Sequence, residues 1–163
     1  MAISLNGWPV PPKKTVTKTV PGTKRRLTIE SNVAPLLLAV AADYHATVRP
    51  IDVGPWDEGG FNNRDARLAA GRKSNHASAT AIDLNWSEEG AMGSNWGKKF
   101  FARRKNALAI RRMKRKYGSV IGWGGDWRAQ DFMHWEVKPG VTVAQVKALQ
   151  KKLGIKANGR RSA

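Results

Sequence analysis

Two short segments of the chain govern the interpretation of the rest: residues 74–83 read SNHASATAID, and residues 131–136 read DFMHWE. Each segment places ionisable side chains within or beside an apolar run with the length and composition of a short strand. An ionisable group buried without a partner is strongly unfavourable, so these side chains need hydrogen bonds, ion pairs or a metal. The two segments therefore predict neighbouring strands that carry a polar site.

A metal is the simplest single partner for these side chains. The chain has three histidines and no cysteine, which excludes thiolate ligands and leaves His, Asp and Glu. A catalytic zinc takes three such ligands and leaves a fourth position for water. We therefore expect His76, Asp83 and His134 to hold a metal, with Asp131 placed to accept a proton from water. Taken singly, a strand histidine is more often a hydrogen-bonded structural residue, and only the joint pattern favours a site.

The two segments together resemble the zinc peptidases of the D-alanyl-D-alanine carboxypeptidase type, a VanY-like group that includes phage endolysins cleaving the L-alanyl–D-glutamate bond. The resemblance covers roughly residues 25–138. Its pattern, S-x-H-x6-D followed downstream by (D/E)-x-x-H, is carried by Ser74, His76, Ala81, Asp83, Asp131, His134 and Trp135. The segment GGFNNR, residues 59–64, also resembles the arginine-bearing segment of that group.

This resemblance implies one catalytic Zn2+ bound by His76, Asp83 and His134, with Asp131 as general base. It also implies that Arg64 polarises the scissile carbonyl and stabilises the developing oxyanion. The family fold is α+β, a small antiparallel sheet backed by helices of the hedgehog/DD-peptidase-like kind. One departure is Ala79, where the family usually has glycine; alanine would disfavour a positive φ if the loop requires one.

Local patterning agrees with an α+β fold, because strands and helices do not strictly alternate. Apolar periodicity and capping signals predict helices over 31–45, 98–117 and 142–153. The same reasoning predicts strands over 14–20, 48–53, 79–84, 120–124 and 133–137. The polar segment 62–71 is expected to be helical in part.

The charge of the chain points to an anionic partner. There are 29 Lys and Arg against 12 Asp and Glu, a formal net charge of +17. Such a protein is attracted to nucleic acid, an anionic membrane or an acidic wall polymer. The longest apolar run, residues 34–42, is too short to span a membrane. No helix-turn-helix, zinc-finger or RNP-like motif favours nucleic acid.

The basic residues are concentrated in two regions without acids, residues 91–125 and 138–163. In the helix predicted over 98–117 they form a cationic face, for which a merely solvated surface is the alternative. We divide the chain into a basic, proline-containing arm (1–26), a zinc peptidase domain (27–140) and a basic C-terminal helix and tail (141–163). The tail resembles the beginning of a peptidoglycan-binding repeat, although a coincidental amphipathic helix would look the same.

Three residues near the predicted site are expected to contact substrate: Ser78, Trp123 and Glu136. Each has a structural alternative. Ser78 is suited to a turn, Trp123 to core packing and Glu136 to a salt bridge. His45 has no acid or histidine at ligand spacing, and we expect it to be structural or solvent-facing.

The expected function is a zinc-dependent peptidoglycan peptidase of the phage endolysin type, an L-alanyl–D-glutamate endopeptidase that works as a monomer. A D-alanyl-D-alanine carboxypeptidase of the same family is the alternative, and a basic nucleic-acid-binding module is a more distant one. The N-terminus lacks the pattern of a Sec-type signal peptide. We therefore expect synthesis in the host cytoplasm and action on the wall after holin-type release.

Overall fold

The computed structural model describes residues 2–89 and 94–162, and within them the fold is α+β, as predicted. The strands are β1 (Ala2–Ile3), β2 (Pro9–Val10), β3 (Thr15–Thr19), β4 (Arg26–Glu30), β5 (Asp65–Ala66), β6 (Ala69–Lys73), β7 (Ala81–Asp83), β8 (Ile121–Trp123) and β9 (His134–Val137). The helices are α1 (Ala34–Thr47), α2 (Trp86–Glu89), α3 (Asn95–Ala102), α4 (Arg104–Tyr117) and α5 (Val143–Lys152). None of these helices is long and apolar enough to cross a membrane.

The sheet that matters for function is small and antiparallel, with strand order β7-β9-β8. The two key segments are direct neighbours in it, because Asp83 pairs with His134 and Ile82 pairs with Trp135. Side chains alternate between the faces of a strand. His134 and Glu136 therefore share one face of β9, whereas Trp135 points into the core and is 1% exposed.

Helix α1 is the centre of the core. Its residues 36–41 are all buried, so it is apolar around most of its circumference, which is typical of a helix enclosed by other elements. It contacts β3, β4, α4 and α5. Pro35 occupies its first turn, where a missing backbone N–H breaks no helical hydrogen bond. The helix predicted over 31–45 is confirmed as α1, which begins at Ala34 and ends at Thr47.

The strand predicted over residues 48–53 is wrong. This segment is irregular. The Arg25 guanidinium donates to the carbonyl of Ile51 within it and to the carbonyls of Gly54 and Pro55 just after it. A β-branched composition favours a strand only where a neighbouring strand supplies the hydrogen bonds. Here a buried side chain supplies them instead.

The helix predicted over residues 98–117 is two helices, α3 and α4, separated at Arg103, whose ψ is 130°. On one continuous helix, Phe101 would lie about 120° and Gly97 about 160° around the axis from Met113. All three residues are buried. A break in the helix axis is what allows both apolar faces to reach the core.

The basic face of α4 is solvent-exposed, as the sequence predicts. Its exposed members, with Arg103 at the break, are Arg103, Arg104, Arg111, Arg112, Lys114 and Arg115. Lys114 forms an exposed ion pair with Asp126 at 2.6 Å. The predicted helix over 142–153 is α5, and its capping box between Thr142 and Gln145 is formed.

A β-hairpin replaces the partly helical segment expected over residues 62–71. Strands β5 and β6 pair antiparallel, with Ala66 opposite Ala69 and Asp65 opposite Lys73. Arg67 and Leu68 form the turn between them and are exposed. The hydrogen bond from the Ser74 N–H to the Arg64 carbonyl, 3.1 Å long, closes the base of this hairpin.

Glu58 provides a test of stability against pH. Burial, with the neighbouring Asp57 next in effect, raises the pKa of Glu58 from 4.5 to about 8, although Arg25 opposes the shift. A group whose pKa is higher in the folded state loses its stabilising effect as pH rises above its unfolded value. We expect the free energy of unfolding to fall between pH 5 and 8 by up to about 1.4 kcal/mol per pH unit more than in Glu58→Gln. Denaturant titrations of both proteins at several pH values measure this, and parallel profiles would contradict it.

Candidate metal centre

Three side chains from separate parts of the chain converge on one point. His76 lies in the turn before β7, Asp83 at the end of β7 and His134 at the start of β9. His76 Nε2 is 3.2 Å from His134 Nδ1 and 3.2 Å from Asp83 Oδ2. His134 Nδ1 is 2.9 Å from Asp83 Oδ1. The three predicted ligands therefore form a compact triangle of donor atoms.

This triangle fits a tetrahedral zinc ion. Zinc bound at about 2.0–2.1 Å keeps neighbouring ligand atoms about 3.3 Å apart, and the observed separations are 2.9–3.2 Å. Two imidazoles and one carboxylate are a common catalytic donor set that leaves a position for water. The cluster is also the one group of His, Cys, Asp and Glu among the described residues that could hold a metal ion.

The outer hydrogen bonds orient both imidazoles toward the centre. His76 Nδ1 lies 2.7 Å from the Gly60 carbonyl oxygen, which only accepts, so Nδ1 carries the proton and Nε2 is free to bind. Glu136 Oε2 lies 2.8 Å from His134 Nε2 and leaves Nδ1 for the metal. Gly60 is required at its position, because a Cβ there would lie 2.2 Å from the Thr28 carbonyl oxygen.

The network continues to the N-terminal segment. The Asn75 side-chain amide donates to Glu136, and the Asn75 Oδ1 accepts the Asn6 N–H at 2.8 Å. The Asn6 side chain donates to Thr80 and to the Val137 carbonyl. A buried residue near the start of the chain thus helps to hold the carboxylate that orients a ligand.

Electrostatics at the cluster match a cation site. Burial opposes charge on His134, but hydrogen bonds to Asp83 and Glu136 outweigh it and raise the pKa of His134 to about 10. Burial likewise opposes charge on Asp83, but the two histidines hold the pKa of Asp83 well below its usual range. Without a metal, a proton on His134 places one positive charge between the two carboxylates. Metal binding needs neutral imidazoles and so displaces that proton.

Asp131 lies beside the cluster in the turn before β9. Its carboxyl is largely buried, and its Oδ1 has no hydrogen-bond partner among the described residues. Burial raises the pKa of Asp131, an effect that the charge of His134 partly offsets. A buried carboxyl with a free oxygen and a raised pKa is suited to proton transfer. The turn packs against Gly124, where a Cβ would lie 2.3 Å from the Asp131 carbonyl oxygen.

Two cavities meet at the cluster. The first, of about 510 Å³, is lined by His76 and Asp83 together with Asn62 and Trp86. The second, of about 340 Å³, is lined by His134, Asp131, Glu136, Trp127 and Leu68 among others. Arg64 and Arg67 of the hairpin region border both cavities. The candidate metal centre therefore lies between two cavities that the two arginines of the hairpin region both border.

The three residues expected to contact substrate have different positions. Ser78 is fully buried, and its hydroxyl donates to the Asn75 carbonyl. Trp123 is 8% exposed, and its indole N–H donates to the Phe132 carbonyl. Neither residue lines either cavity. Glu136 borders the second cavity, but its carboxylate is engaged with His134 and Asn75.

One cavity residue, Arg67, was not predicted by the sequence as a contributor to the site. Arg67 is three residues after Arg64, and the second arginine in NNRDAR was the available signal. Trp127 is one of three tryptophans around the second segment for which the sequence suggests a substrate groove, with core packing as the alternative, and it lines the second cavity. Its ring centroid lies 5.0 Å from that of His134, and the side chain is 39% exposed. His45 is structural, because its Nδ1 accepts the Ile51 N–H at 3.2 Å.

Ala79 adopts the positive φ, +55°, that alanine was expected to disfavour. It is fully buried, its N–H donates to the His76 carbonyl, and its carbonyl accepts the Glu30 N–H. The left-handed conformation costs an L-residue about 1–2 kcal/mol. The turn that carries His76 therefore keeps its shape with a non-glycine residue, at some cost in stability.

Ala79→Gly tests this cost against Ala77→Gly as a matched control. Ala77 is equally buried but does not have a positive φ. Each substitution loses a buried methyl, about 0.8 kcal/mol, and adds freedom to the unfolded chain. Only Ala79→Gly also relieves strain, so we expect it to be about 1–2 kcal/mol more stable than Ala77→Gly. Urea denaturation measures the difference, and equal destabilisation of the two variants would refute the argument.

Comparison with known proteins supports a peptidase. Residues 68–137 match the family model described as D-alanyl-D-alanine carboxypeptidase. The matched span contains all three candidate ligands and Asp131, whereas Arg64 lies just before it. No curated protein and no solved structure shows a significant match to the chain.

Proposed function

Starting from the match of residues 68–137 to the D-alanyl-D-alanine carboxypeptidase family, we propose that this protein is a zinc peptidase that hydrolyses an amide bond in the stem peptide of peptidoglycan. The observation that carries the proposal is the triangle of donor atoms from His76, Asp83 and His134. It stands between two cavities and beside a buried carboxyl that has a free oxygen.

Each residue of the site then has a chemical task. Zinc held by the three ligands would lower the pKa of water toward about 7 and polarise the scissile carbonyl. Asp131 accepts a proton from the attacking water through its free oxygen and returns it to the leaving nitrogen. Arg64 donates to the oxygen that gains negative charge. One amide and one water thus become a carboxylate and an amine.

We further propose that the bond cleaved is L-alanyl–D-glutamate, as in a phage endolysin, and that the protein acts as a monomer after holin-type release. The two cavities support an endopeptidase, because each falls in the size range of pockets for drug-sized ligands. A carboxypeptidase needs room for only one residue beyond the scissile bond. D-Alanyl-D-alanine carboxypeptidase activity is therefore the alternative.

Digestion of purified peptidoglycan tests the proposal. The protein is expected to carry about one zinc ion, to lose activity with a chelator, and to release fragments with a new D-glutamate N-terminus. Mass spectrometry of the muropeptides identifies that end, whereas loss of one terminal alanine would identify the carboxypeptidase. Zinc-loaded protein that produced neither change would overturn the proposed function.

The cationic face of α4 supports contact with an anionic wall polymer, and nucleic acid is the alternative partner. Arg104, Arg111 and Arg115 lie along one exposed stripe of the helix. Binding to purified walls should weaken steeply between about 50 and 200 mM salt if charge drives it. Nanomolar, sequence-selective DNA binding at physiological salt, without bound metal, would instead favour the nucleic-acid-binding module.

A further inference from the structure

Arg67 is an arginine of the site that has no task in the reaction as described above. It lies in the turn of the β5–β6 hairpin, is exposed, and borders both cavities. Among the described residues its guanidinium has no hydrogen bond or ion pair. Arg64, the other arginine of the site, has its main chain held by hydrogen bonds to Asn62 and Ser74. Arg67 is thus a free cation at the junction of the two cavities.

The acids nearest to Arg67 form no ion pair with its guanidinium. Asp131 is close enough for the charge of Arg67 to act on its carboxyl, but the two form no ion pair. Glu136 is engaged with His134 and Asn75, and Asp83 with the two histidines. A guanidinium left open beside a cluster of engaged carboxylates is available to an anionic ligand. Its planar fork matches a carboxylate, with two parallel hydrogen bonds.

The two candidate substrates share a carboxylate in one position. In D-alanyl-D-alanine, the carbon bonded to the scissile nitrogen carries the terminal carboxylate. In the stem peptide, D-glutamate continues through its γ-carboxyl group, so its α-carboxylate remains free on the carbon bonded to the scissile nitrogen. A cation close to the metal centre can therefore bind this carboxylate in both substrates.

We propose that Arg67 binds the carboxylate on the carbon next to the scissile nitrogen and so makes the enzyme selective for an ionised residue at that position. This inference rests on the proposed function. Such selectivity would distinguish stem peptides with D-glutamate from those with D-isoglutamine, in which the α-carboxylate is amidated. The amide has no charge, and its NH2 group cannot accept, so it cannot form the two parallel hydrogen bonds that a carboxylate forms with the guanidinium.

Two synthetic peptides and four proteins test the inference. The peptides are L-Ala-γ-D-Glu-L-Lys and its D-isoglutamine counterpart. The proteins are the wild type, Arg67→Gln, Arg67→Lys, and Arg72→Gln as a control for an exposed hairpin arginine that lines neither cavity. We expect the wild type to prefer the carboxylate peptide by about 10–100-fold in kcat/KM, the range for hydrogen bonds between charged groups.

Arg67→Gln is expected to remove this preference by slowing cleavage of the carboxylate peptide while leaving the amidated peptide within about threefold of wild type. Arg67→Lys should retain part of the preference for the carboxylate peptide, and Arg72→Gln should retain all of this preference. Zinc content and melting temperature confirm that each variant is folded and loaded. A wild type without preference, or an Arg67→Gln variant that slows both peptides equally, would overturn the inference.

A binding measurement separates this inference from the proposed function. Calorimetry compares γ-D-Glu-L-Lys with its D-isoglutamine counterpart, neither of which contains the scissile bond. Tighter binding of the carboxylate compound to the wild type, lost in Arg67→Gln, supports the inference even if no peptide is cleaved. In that case the proposed reaction is refuted, whereas recognition of the carboxylate by Arg67 is supported. Equal binding of both compounds to the wild type overturns the role of Arg67.

Discussion

His134→Ala is expected to abolish both zinc binding and cleavage of peptidoglycan. The substitution removes one of three donor atoms in the triangle, and two protein ligands rarely retain a catalytic zinc. It also leaves Asp83 and Glu136 without their shared partner. Breaking a buried charge pair typically costs about 3–5 kcal/mol. We therefore expect zinc content to fall from about one to near zero and stability to fall with it.

The chain supplies its own control for this experiment. His45→Ala removes a histidine outside the cluster, whose main contact is the Ile51 N–H. We expect that variant to keep its zinc and its activity, with a modest loss of stability. Metal analysis, cell-wall digestion and denaturant titration of the two variants provide the comparison. Full wall-degrading activity in His134→Ala would refute the metal centre.

Asp131→Asn is expected to keep zinc but to lower the rate of cleavage by about 10²–10⁴-fold, the usual contribution of a positioned general base. Asn has the same shape but cannot take the proton. Because burial already disfavours the charged form of Asp131, removing the charge should leave stability unchanged or raised. A variant that keeps its zinc and its stability but loses activity would identify Asp131 as the base, because the loss of a metal ligand would also lower the zinc content.

Asp126→Asn is the matched control. Asp126 is a second acid of the same region, but it forms an exposed ion pair with Lys114, and such pairs contribute little to stability. Neither metal content nor the rate of cleavage should change. Loss of zinc in Asp131→Asn would make Asp131 a ligand rather than the base, and an unchanged rate would remove it from the mechanism.

The candidate site residues lie close together in sequence within each of the two segments. His76 and Asp83 flank one short strand, and Asp131 precedes His134 by one turn, so their relative positions follow from local geometry. The pairing of the two segments could be inferred from their shared pattern, and the register that sets Asp83 opposite His134 confirms it. The α+β fold followed from the same patterning.

In two segments, contacts with distant residues override the secondary structure that the local sequence favours. Residues 48–53 have the composition of a strand, but side chains bind the backbone of Ile51, whose carbonyl accepts from Arg25 and whose N–H donates to His45. The helix predicted over 98–117 breaks at Arg103, because two apolar faces on different sides must both reach the core. Neither effect is visible in a local window of sequence, since each requires knowing which element lies next to which.

The sequence by itself determined the fold class and predicted the candidate ligands and the candidate base, because these depend on residue types and short spacings. The tertiary structure decided what surrounds them. It directed Glu136 toward His134, buried Ser78 and Trp123 away from both cavities, and brought Arg67 and Trp127 to the cavities. Those positions depend on contacts between distant segments, such as the hydrogen bond from the Asn6 N–H to Asn75 and the one from Asn75 to Glu136. Contacts between residues far apart in the chain are fixed only when the whole chain has folded.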